Sequence, residues 1–271
     1  MASAHRLIAR ASARFLADRC FTLAASLAYA SLLAVVPLIA IVLVVLSRFP
    51  LFETMLDEAE GAMFQYFAPS FGAEAQAYLA RFVANTGELT ALGLFGVAGS
   101  ALILLMTIED AFNIIWRVPQ PRRAGYRLLV YVAALALGSI LVGTALMLST
   151  SVFAASAWLG LDRVATQLLP LPLTTAGFAL LYWLLPGRAV HFLPALVAAF
   201  VAAALFELLK AGFAAYVRLF PAYATIYGAL SVLPLFLIWM YCAWAVVLWG
   251  AELAAAWEET ATGPTRAPIN S

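Results

Sequence analysis

Residues 20–47 read CFTLAASLAYASLLAVVPLIAIVLVVLS, and none of these 28 residues is Asp, Glu, Lys or Arg. A helix of about 20 apolar residues crosses the ~30 Å hydrocarbon core of a bilayer. The stretch is longer than the apolar region of a secretory signal, about 7–15 residues, which favours a retained span. Five further apolar stretches follow. Together they predict an all-α polytopic membrane protein with six transmembrane helices, at approximately residues 23–47, 89–115, 128–152, 171–186, 194–217 and 229–256.

The composition indicates the same class of protein. Hydrophobic residues make up 65% of the chain and charged residues 11%, whereas a soluble domain carries about 25% charged residues. A water-soluble fold of this length cannot enclose so much apolar surface. The formal net charge of +1 carries no information on partners. The function therefore has to be inferred from the polar residues that interrupt the apolar stretches.

The arginines predict the orientation. They concentrate in the leader before the first span and in the loops after the second and fourth spans. The positive-inside rule assigns such segments to the cytoplasm, so both termini are predicted to be cytoplasmic. The leader is either an amphipathic helix at the membrane interface or an ordinary topogenic segment. The predicted organisation is a leader at 1–19, a transmembrane domain at 20–257 with an external helical hairpin at 48–88, and a disordered cytoplasmic tail at 258–271.

The deepest ionisable residues lie in the fifth predicted span. Glu207 follows Pro194 by 13 residues, which is about 20 Å along a helix. Lys210, the only lysine of the chain, follows at i+3 and can neutralise the carboxylate. Ionisable groups are costly in hydrocarbon, so the pair is a candidate polar point on a substrate or ion path. The alternative is a structural ion pair between helices.

Two other spans carry acids near their predicted cytoplasmic ends. Glu109 and Asn113 are separated by one helical turn and share a face, while Asp110 points elsewhere, toward the arginine loop that follows. Glu252 lies at a similar depth in the sixth span. We therefore expect a shared polar site that includes Glu109, Asn113 and Glu252 and faces the cytoplasm. Hydrogen bonding between helices is the alternative.

Small, proline and tyrosine residues within or beside the spans are candidates for helix packing or gating. Proline removes a backbone donor and bends a helix, glycine permits close helix contact, and tyrosine anchors a span at the membrane interface. The candidates are Tyr29, Pro37, Gly96, Tyr227, Gly228 and Pro234.

The motifs of common enzymes are missing from the sequence. There is no GxxxxGK[ST] loop, no HExxH and no GxSxG elbow, and the chain contains two histidines far apart, His5 and His191. Cys20 and Cys242 have no second thiol nearby in sequence and are expected to be small buried residues. We therefore predict no enzymatic activity, no cofactor, no metal site and no nucleic-acid partner.

Several ordered segments resemble the YihY/BrkB family of bacterial inner-membrane proteins, once labelled ribonuclease BN. The resemblance covers about residues 15–257 and implies six spans with cytoplasmic termini. It also implies a role in envelope and lipopolysaccharide biology without a settled activity. The ribonuclease label finds no nuclease site in this sequence. The segments are LAASLAYASLLAVVPL (23–38), IEDAFNIIWRV (108–118), FELLK (206–210), YATIYGAL (223–230), LIWMY (237–241) and GAEL (250–253).

Two functions remain open from the sequence. A transporter or flippase-like permease for a lipid or amphiphilic solute accounts for deep polar residues on three predicted spans, and membrane lipids would be its partners. A scaffold that holds envelope or lipid-handling proteins would use the same polar residues only to fasten the helices together. The sequence predicts neither the substrate nor the oligomeric state.

Overall fold

The computed structural model describes residues 2–46, 91–119, 122–123, 125–141, 170–219 and 232–262. Within these ranges every regular element is an α-helix. The predicted external hairpin at 48–88 lies outside the described residues, as do Tyr227 and Gly228. The helices are α1 (Ala2–Ala17), α2 (Cys20–Leu46), α3 (Ala91–Ile115), α4 (Gly125–Leu141), α5 (Pro170–Leu184), α6 (Phe192–Leu219) and α7 (Val232–Thr262).

Two of these helices are long and apolar enough to cross a membrane. They are the segments Phe192–Val217 of α6 and Pro234–Thr260 of α7, and a third crossing results if α1 and α2 form one bent span. Helices α4 and α5 are apolar but shorter. Large apolar side chains face outward, as expected for surfaces in contact with lipid: Leu208 is 69% exposed and Leu193 is 63% exposed. The chain is therefore a helical membrane protein.

Asp18 and Arg19 form the bend between α1 and α2. The axes of His5–Ala17 and Cys20–Ala34 differ by 67°, and Arg19 has a φ of 53°. This left-handed conformation ends α1, and the Arg19 carbonyl then accepts the first hydrogen bonds of α2, from Thr22 and Leu23. The bend therefore lets the leader helix leave the direction of the first span.

Helix α3 ends in a Schellman motif. The amide of Val118 donates to the carbonyl of Asn113 at 2.9 Å, and the amide of Arg117 donates to the carbonyl of Ile114 at 3.2 Å. The residue at the left-handed position of this motif is usually glycine, but here it is Arg117, with a φ of 54°. Its guanidinium donates to Asp18 at 2.7 Å.

The described residues fall into two compact units. The first unit contains the leader, the start of α2, the end of α3 and helices α5, α6 and α7. In it, α6 packs against α5 and α7, and α7 packs against α1. Small residues on α6 recur at helical spacing, and their burial lets neighbouring backbones approach closely. They are Ala195, Ala198, Ala199, Ala202 and Ala203.

The second unit contains the remainder of α2 and α3 and most of α4. Pro37 and Gly96 belong to it. Helix α2 continues through Pro37 without interruption, and Gly96 lies within α3. On α4, the buried Ser139 hydroxyl donates to the carbonyl of Leu135 at 2.8 Å.

Two features at the limits of α7 differ from expectation. Pro234 is the third residue of α7, in the first turn, where the missing donor costs little, so it is not placed to kink a span. The disordered tail was expected from residue 258, but α7 continues through Thr262. The reason is that Glu258 is 3% exposed and Glu259 forms ion pairs with the leader.

Candidate functional site

An ion-pair network joins the leader to the end of the last helix. Arg14 on α1 donates to Glu252 of α7 at 2.7 Å through Nε and to Glu259 through Nη1. Its Nη2 donates to the backbone carbonyl of Ile115 at 2.6 Å, at the end of α3. Arg14 is 11% exposed and Glu252 is fully buried. One guanidinium therefore fastens three helices at a single point.

Further polar groups surround Glu252. The Cys20 thiol donates to Glu252 Oε1 at 3.7 Å, and the Asp18 side chain, which is 7% exposed, lies two residues before Cys20. Asp18 Oδ1 accepts a hydrogen bond from Arg117 Nη1 at 2.7 Å. We call Arg14, Asp18, Cys20, Arg117 and Glu252 the leader junction. The sequence indicated Glu252 but not its partners.

Two tryptophans of α7 add neutral contacts on the same side of the bundle. The indole of Trp249 donates to the hydroxyl of Ser12 on α1 at 3.3 Å. The indole of Trp244 donates to Ser31 on α2 at 2.9 Å. Because both donors would otherwise be unpaired in an apolar setting, these bonds fix the rotation of α7 against the leader and the first span.

Glu109 and Asp110 share one arginine. Arg127 donates to Glu109 Oε2 at 2.9 Å and to Asp110 Oδ1 at 3.3 Å. Glu109 is 1% exposed, whereas Asp110 is 66% exposed. The expected direction of Asp110, toward the arginine loop, is therefore confirmed. Glu109 and Glu252 are neutralised by different arginines, and the single polar site expected to include both stays a prediction.

Asn113 and Arg122 tie the end of α5 to α3 and its following loop. The side-chain oxygen of Asn113 accepts a hydrogen bond from the Gly187 amide at 2.8 Å. A Cβ at Gly187 would lie 2.7 Å from the same oxygen, so this close approach requires glycine. Arg122 donates to the carbonyls of Leu184, at 3.2 Å, and Pro186. These are carbonyls that the end of a helix leaves without partners.

Glu258 holds the start of α6, a role that the sequence did not predict. Its Oε1 accepts hydrogen bonds from the His191 backbone amide at 2.7 Å and contacts His191 Nδ1 at 3.0 Å. His191 precedes the first residue of α6, and its carbonyl accepts from the amide of Ala195. A carboxylate at a helix N-terminus is also favoured by the helix dipole. The segment WEET (257–260) does not by itself indicate a contact with a residue so far away in the chain.

The cap on α6 yields a stability prediction. We expect Glu258→Ala to lower the free energy of unfolding by about 1–3 kcal/mol, because the His191 amide loses a charged acceptor that is itself buried. Glu258→Gln keeps a side-chain oxygen at the same distance and should lose less. Thermal unfolding of the detergent-purified variants measures both. Equal losses in the two variants would contradict an acceptor role.

Glu207 and Lys210 form the ion pair expected from their spacing. Lys210 Nζ lies 2.7 Å from Glu207 Oε2, and the Thr174 hydroxyl of α5 donates to Glu207 Oε1 at 3.3 Å. The pair remains partly open, since the side chains of Glu207 and Lys210 are 27% and 38% exposed. Lys210 Nζ also lies 5.7 Å from the centre of the Phe206 ring.

Aromatic rings line the surface next to this pair. The Phe206 ring lies 5.5 Å from that of Phe178 on α5 and 5.6 Å from that of Trp239 on α7. The Phe213 ring lies 5.1 Å from that of Trp239. We call Glu207, Lys210 and these aromatic side chains the mid-span site. It places one cation and one anion beside an apolar wall.

The remaining candidates have other surroundings. Tyr29 is 61% exposed on α2, and Cys242 of α7 is only partly buried, whereas Cys20 is fully buried. Among the residues that the structure describes, no three His, Cys, Asp or Glu side chains are grouped closely enough to hold a metal ion.

These observations define the class: a polytopic α-helical membrane protein with buried ion pairs that fasten its helices. The family model described as "Virulence factor BrkB" matches residues 11–270, and the chain belongs to that family. No solved structure matches the chain.

Curated relatives carry names that give no activity. The UPF0761 membrane protein of Azotobacter vinelandii is 44% identical over 89% of this chain and 60% of its own length. Those of Rhodospirillum centenum and Vibrio vulnificus are 39% and 40% identical, over 95% and 90% of this chain. The chain covers 58% of the Rhodospirillum protein and 80% of the Vibrio protein. It therefore spans about 60% of the length of the first two relatives.

Proposed function

We propose that this protein is a transporter or flippase-like permease for a lipid or amphiphilic solute of the bacterial envelope. In this proposal it is an inner-membrane protein with six spans and two cytoplasmic termini. Membrane lipids are its partners, and it is neither an enzyme nor a nucleic-acid-binding protein. The observation that carries the proposal is the mid-span site.

The depth and exposure of the mid-span site favour a path for an amphiphile. Glu207 follows Phe192 by 15 residues, about 23 Å along a helix at 1.5 Å per residue. An ionisable pair at this depth is expensive in lipid and is expected to face the bundle interior or water. A purely structural pair would be enclosed, whereas Lys210 is 38% exposed.

The chemistry of the site matches a molecule with an anionic head and apolar tails. Lys210 could bind a phosphate or carboxylate of the solute in place of Glu207, since each of these anions accepts a charge-assisted hydrogen bond from an ammonium group. The rings of Phe206, Phe213 and Trp239 offer apolar area beside that cation. Solutes of this class are the lipids and lipid precursors of the envelope.

The contacts of the leader support an even number of spans. Arg10 and Arg14, near the start of the chain, pair with Glu259 and Glu252, near the end of α7. These contacts are those expected if the leader and the end of α7 lie on the same side of the membrane. The concentration of arginine in the leader supports the cytoplasm as that side.

The proposal is tested with the pure protein in proteoliposomes. We expect a fluorescent phospholipid or a lipid A precursor to cross the bilayer faster than in empty liposomes, with and without a proton gradient. Glu207→Gln should slow this movement by about tenfold, or about 1.4 kcal/mol in the barrier. Asp110→Asn, which changes an exposed acid outside the site, should leave the rate unchanged. If Glu207→Gln and Glu109→Gln both transport normally, this mechanism is wrong.

A scaffold is the second candidate, because the buried acids Glu109, Glu252 and Glu258 all hold helix ends or neighbouring segments together. It predicts that Glu207→Gln combined with Lys210→Met keeps both stability and cellular function, since a matched neutral replacement can equal an ion pair. If the folded protein moves neither lipid, the scaffold function is favoured.

A further inference from the structure

A carboxylate oxygen in the leader junction lacks a donor. The side chain of Asp18 is 7% exposed, and its Oδ1 accepts from Arg117. Its Oδ2 is buried and accepts no hydrogen bond from any of the residues described by the structure. Buried polar atoms are almost always hydrogen-bonded, and an exception calls for a cause.

The neighbour of Asp18 in the junction is a second acid. Arg14 and Cys20, which flank Asp18 in the chain, both contact Glu252, and Glu252 is fully buried. Two carboxylates in this arrangement are both acceptors and repel each other when both are ionised. If one of them is protonated, it gains an O–H donor, which supplies the bond that Asp18 lacks.

The charges around the two acids are consistent with one bound proton. Arg14 of α1, which is 11% exposed, is a well-buried cation that pairs with Glu252. Arg117, beyond α3, pairs with Asp18 Oδ1 at 2.7 Å and is 53% exposed, so this second cation is only half withdrawn from solvent. The Cys20 thiol of α2 is a weak neutral donor to Glu252.

Arg10 and Glu259 lie at the outer side of the junction and pair with each other. Glu259 of α7, which is 38% exposed, also pairs with Arg14. The three buried side chains Arg14, Asp18 and Glu252 carry a net charge of −1 when both acids are ionised and none when one is protonated, and Arg117 adds its positive charge from the half-exposed edge of the junction.

We propose that Asp18 and Glu252 form a proton-binding site that holds one proton between the two carboxyl groups. Loss of the proton leaves two adjacent anions where the leader meets α2 and α7, so it weakens the contact between these elements. The site is thus placed to couple proton binding to movement of the leader. Its use as the coupling site for transport rests on the proposed function, whereas the binding of the proton does not.

Infrared spectroscopy of the purified protein tests the site directly. At neutral pH, where exposed carboxyl groups are ionised, the wild-type protein should show a protonated-carboxyl C=O band that disappears as the pH is raised. Asp18→Asn and Glu252→Gln should each remove this band, because each removes one of the two acids that share the proton. Asp110→Asn, which alters an exposed acid, should retain it.

Each outcome decides the proposal. A band that persists at neutral pH in both variants, or that is absent from the wild type at neutral pH, overturns it. A band lost in only one variant assigns the proton to that acid alone and also overturns the sharing. If Glu252→Gln does not fold, Asp18→Asn decides together with the wild-type titration, because its amide can donate to Glu252 as the protonated acid would.

The transport assay separates this proposal from the proposed function. If Asp18→Asn moves lipid but no longer responds to a proton gradient, the site couples the two. If the wild type moves no lipid while its infrared band titrates and is lost in both variants, the proton site stands and transport fails. If lipid moves but the band is absent, transport stands and the proton site fails.

Discussion

Replacing Arg14 by alanine is expected to lower the free energy of unfolding by about 3–5 kcal/mol, the usual cost of removing one partner of a buried ion pair. Glu252 is fully buried and takes its shortest contact, 2.7 Å, from this guanidinium. The same substitution removes the donor to the Ile115 carbonyl. Thermal or denaturant unfolding of the detergent-purified protein measures the loss.

Arg10→Ala is the matched control for this prediction. Arg10 lies one turn earlier on the same helix and pairs with Glu259 at 3.4 Å, but both side chains are largely exposed. Such a pair contributes about 0–1 kcal/mol. Equal stability of the Arg14→Ala and Arg10→Ala variants would show that the leader is not fastened through Glu252.

A double variant separates the lost charge from the lost packing. Arg14→Met with Glu252→Gln removes both charges, so no buried anion remains without a partner. We expect it to recover much of the stability lost in Arg14→Ala, because apolar or neutral pairs often replace buried ion pairs without loss. Failure to recover would mean that the bond from Arg14 to the Ile115 carbonyl carries the effect.

The positions of the helices were predictable because apolar residues are dense enough to define them. The predicted segment 89–115 became α3 at Ala91–Ile115, and 194–217 became α6 at Phe192–Leu219. Contacts within one helix or across one short loop were also predictable. Lys210 pairs with Glu207 at i+3, and Asp110 pairs with Arg127 at the start of α4, the next helix.

Long-range partners were not predictable, because the composition of a span does not determine which helices meet. Arg14 is 238 residues from Glu252, and His191 is 67 residues from Glu258. Nearly uniform apolar helices carry weak facial patterns, so their rotation is set by packing and by such polar contacts. The same reason explains the tail: Glu258 reads as the start of a polar terminus until its bond to His191 is known.

Gly250→Ala is expected to destabilise the protein by about 3 kcal/mol, at the upper end of the usual cost of overpacking. A Cβ at this position would collide with the Tyr182 hydroxyl on α5 and lie 2.6 Å from the Cβ of Ala202 on α6. Tyr182 is fully buried and donates to the Val247 carbonyl at 2.8 Å. Moving its ring aside therefore also breaks a buried hydrogen bond. Moving α7 instead would separate it from α5 and α6.

Gly212→Ala is the control that isolates this close approach from helix propensity. Gly212 lies in α6 as Gly250 lies in α7, but a Cβ there meets nothing within 4 Å. Alanine favours the helix over glycine by about 1 kcal/mol, so this variant should be as stable as the wild type or more so. Unfolding temperatures of the two variants measured in one detergent give the comparison. A Gly250→Ala variant as stable as Gly212→Ala would mean that α7 does not approach Tyr182 and Ala202 closely, and the packing of α5, α6 and α7 described above would be wrong.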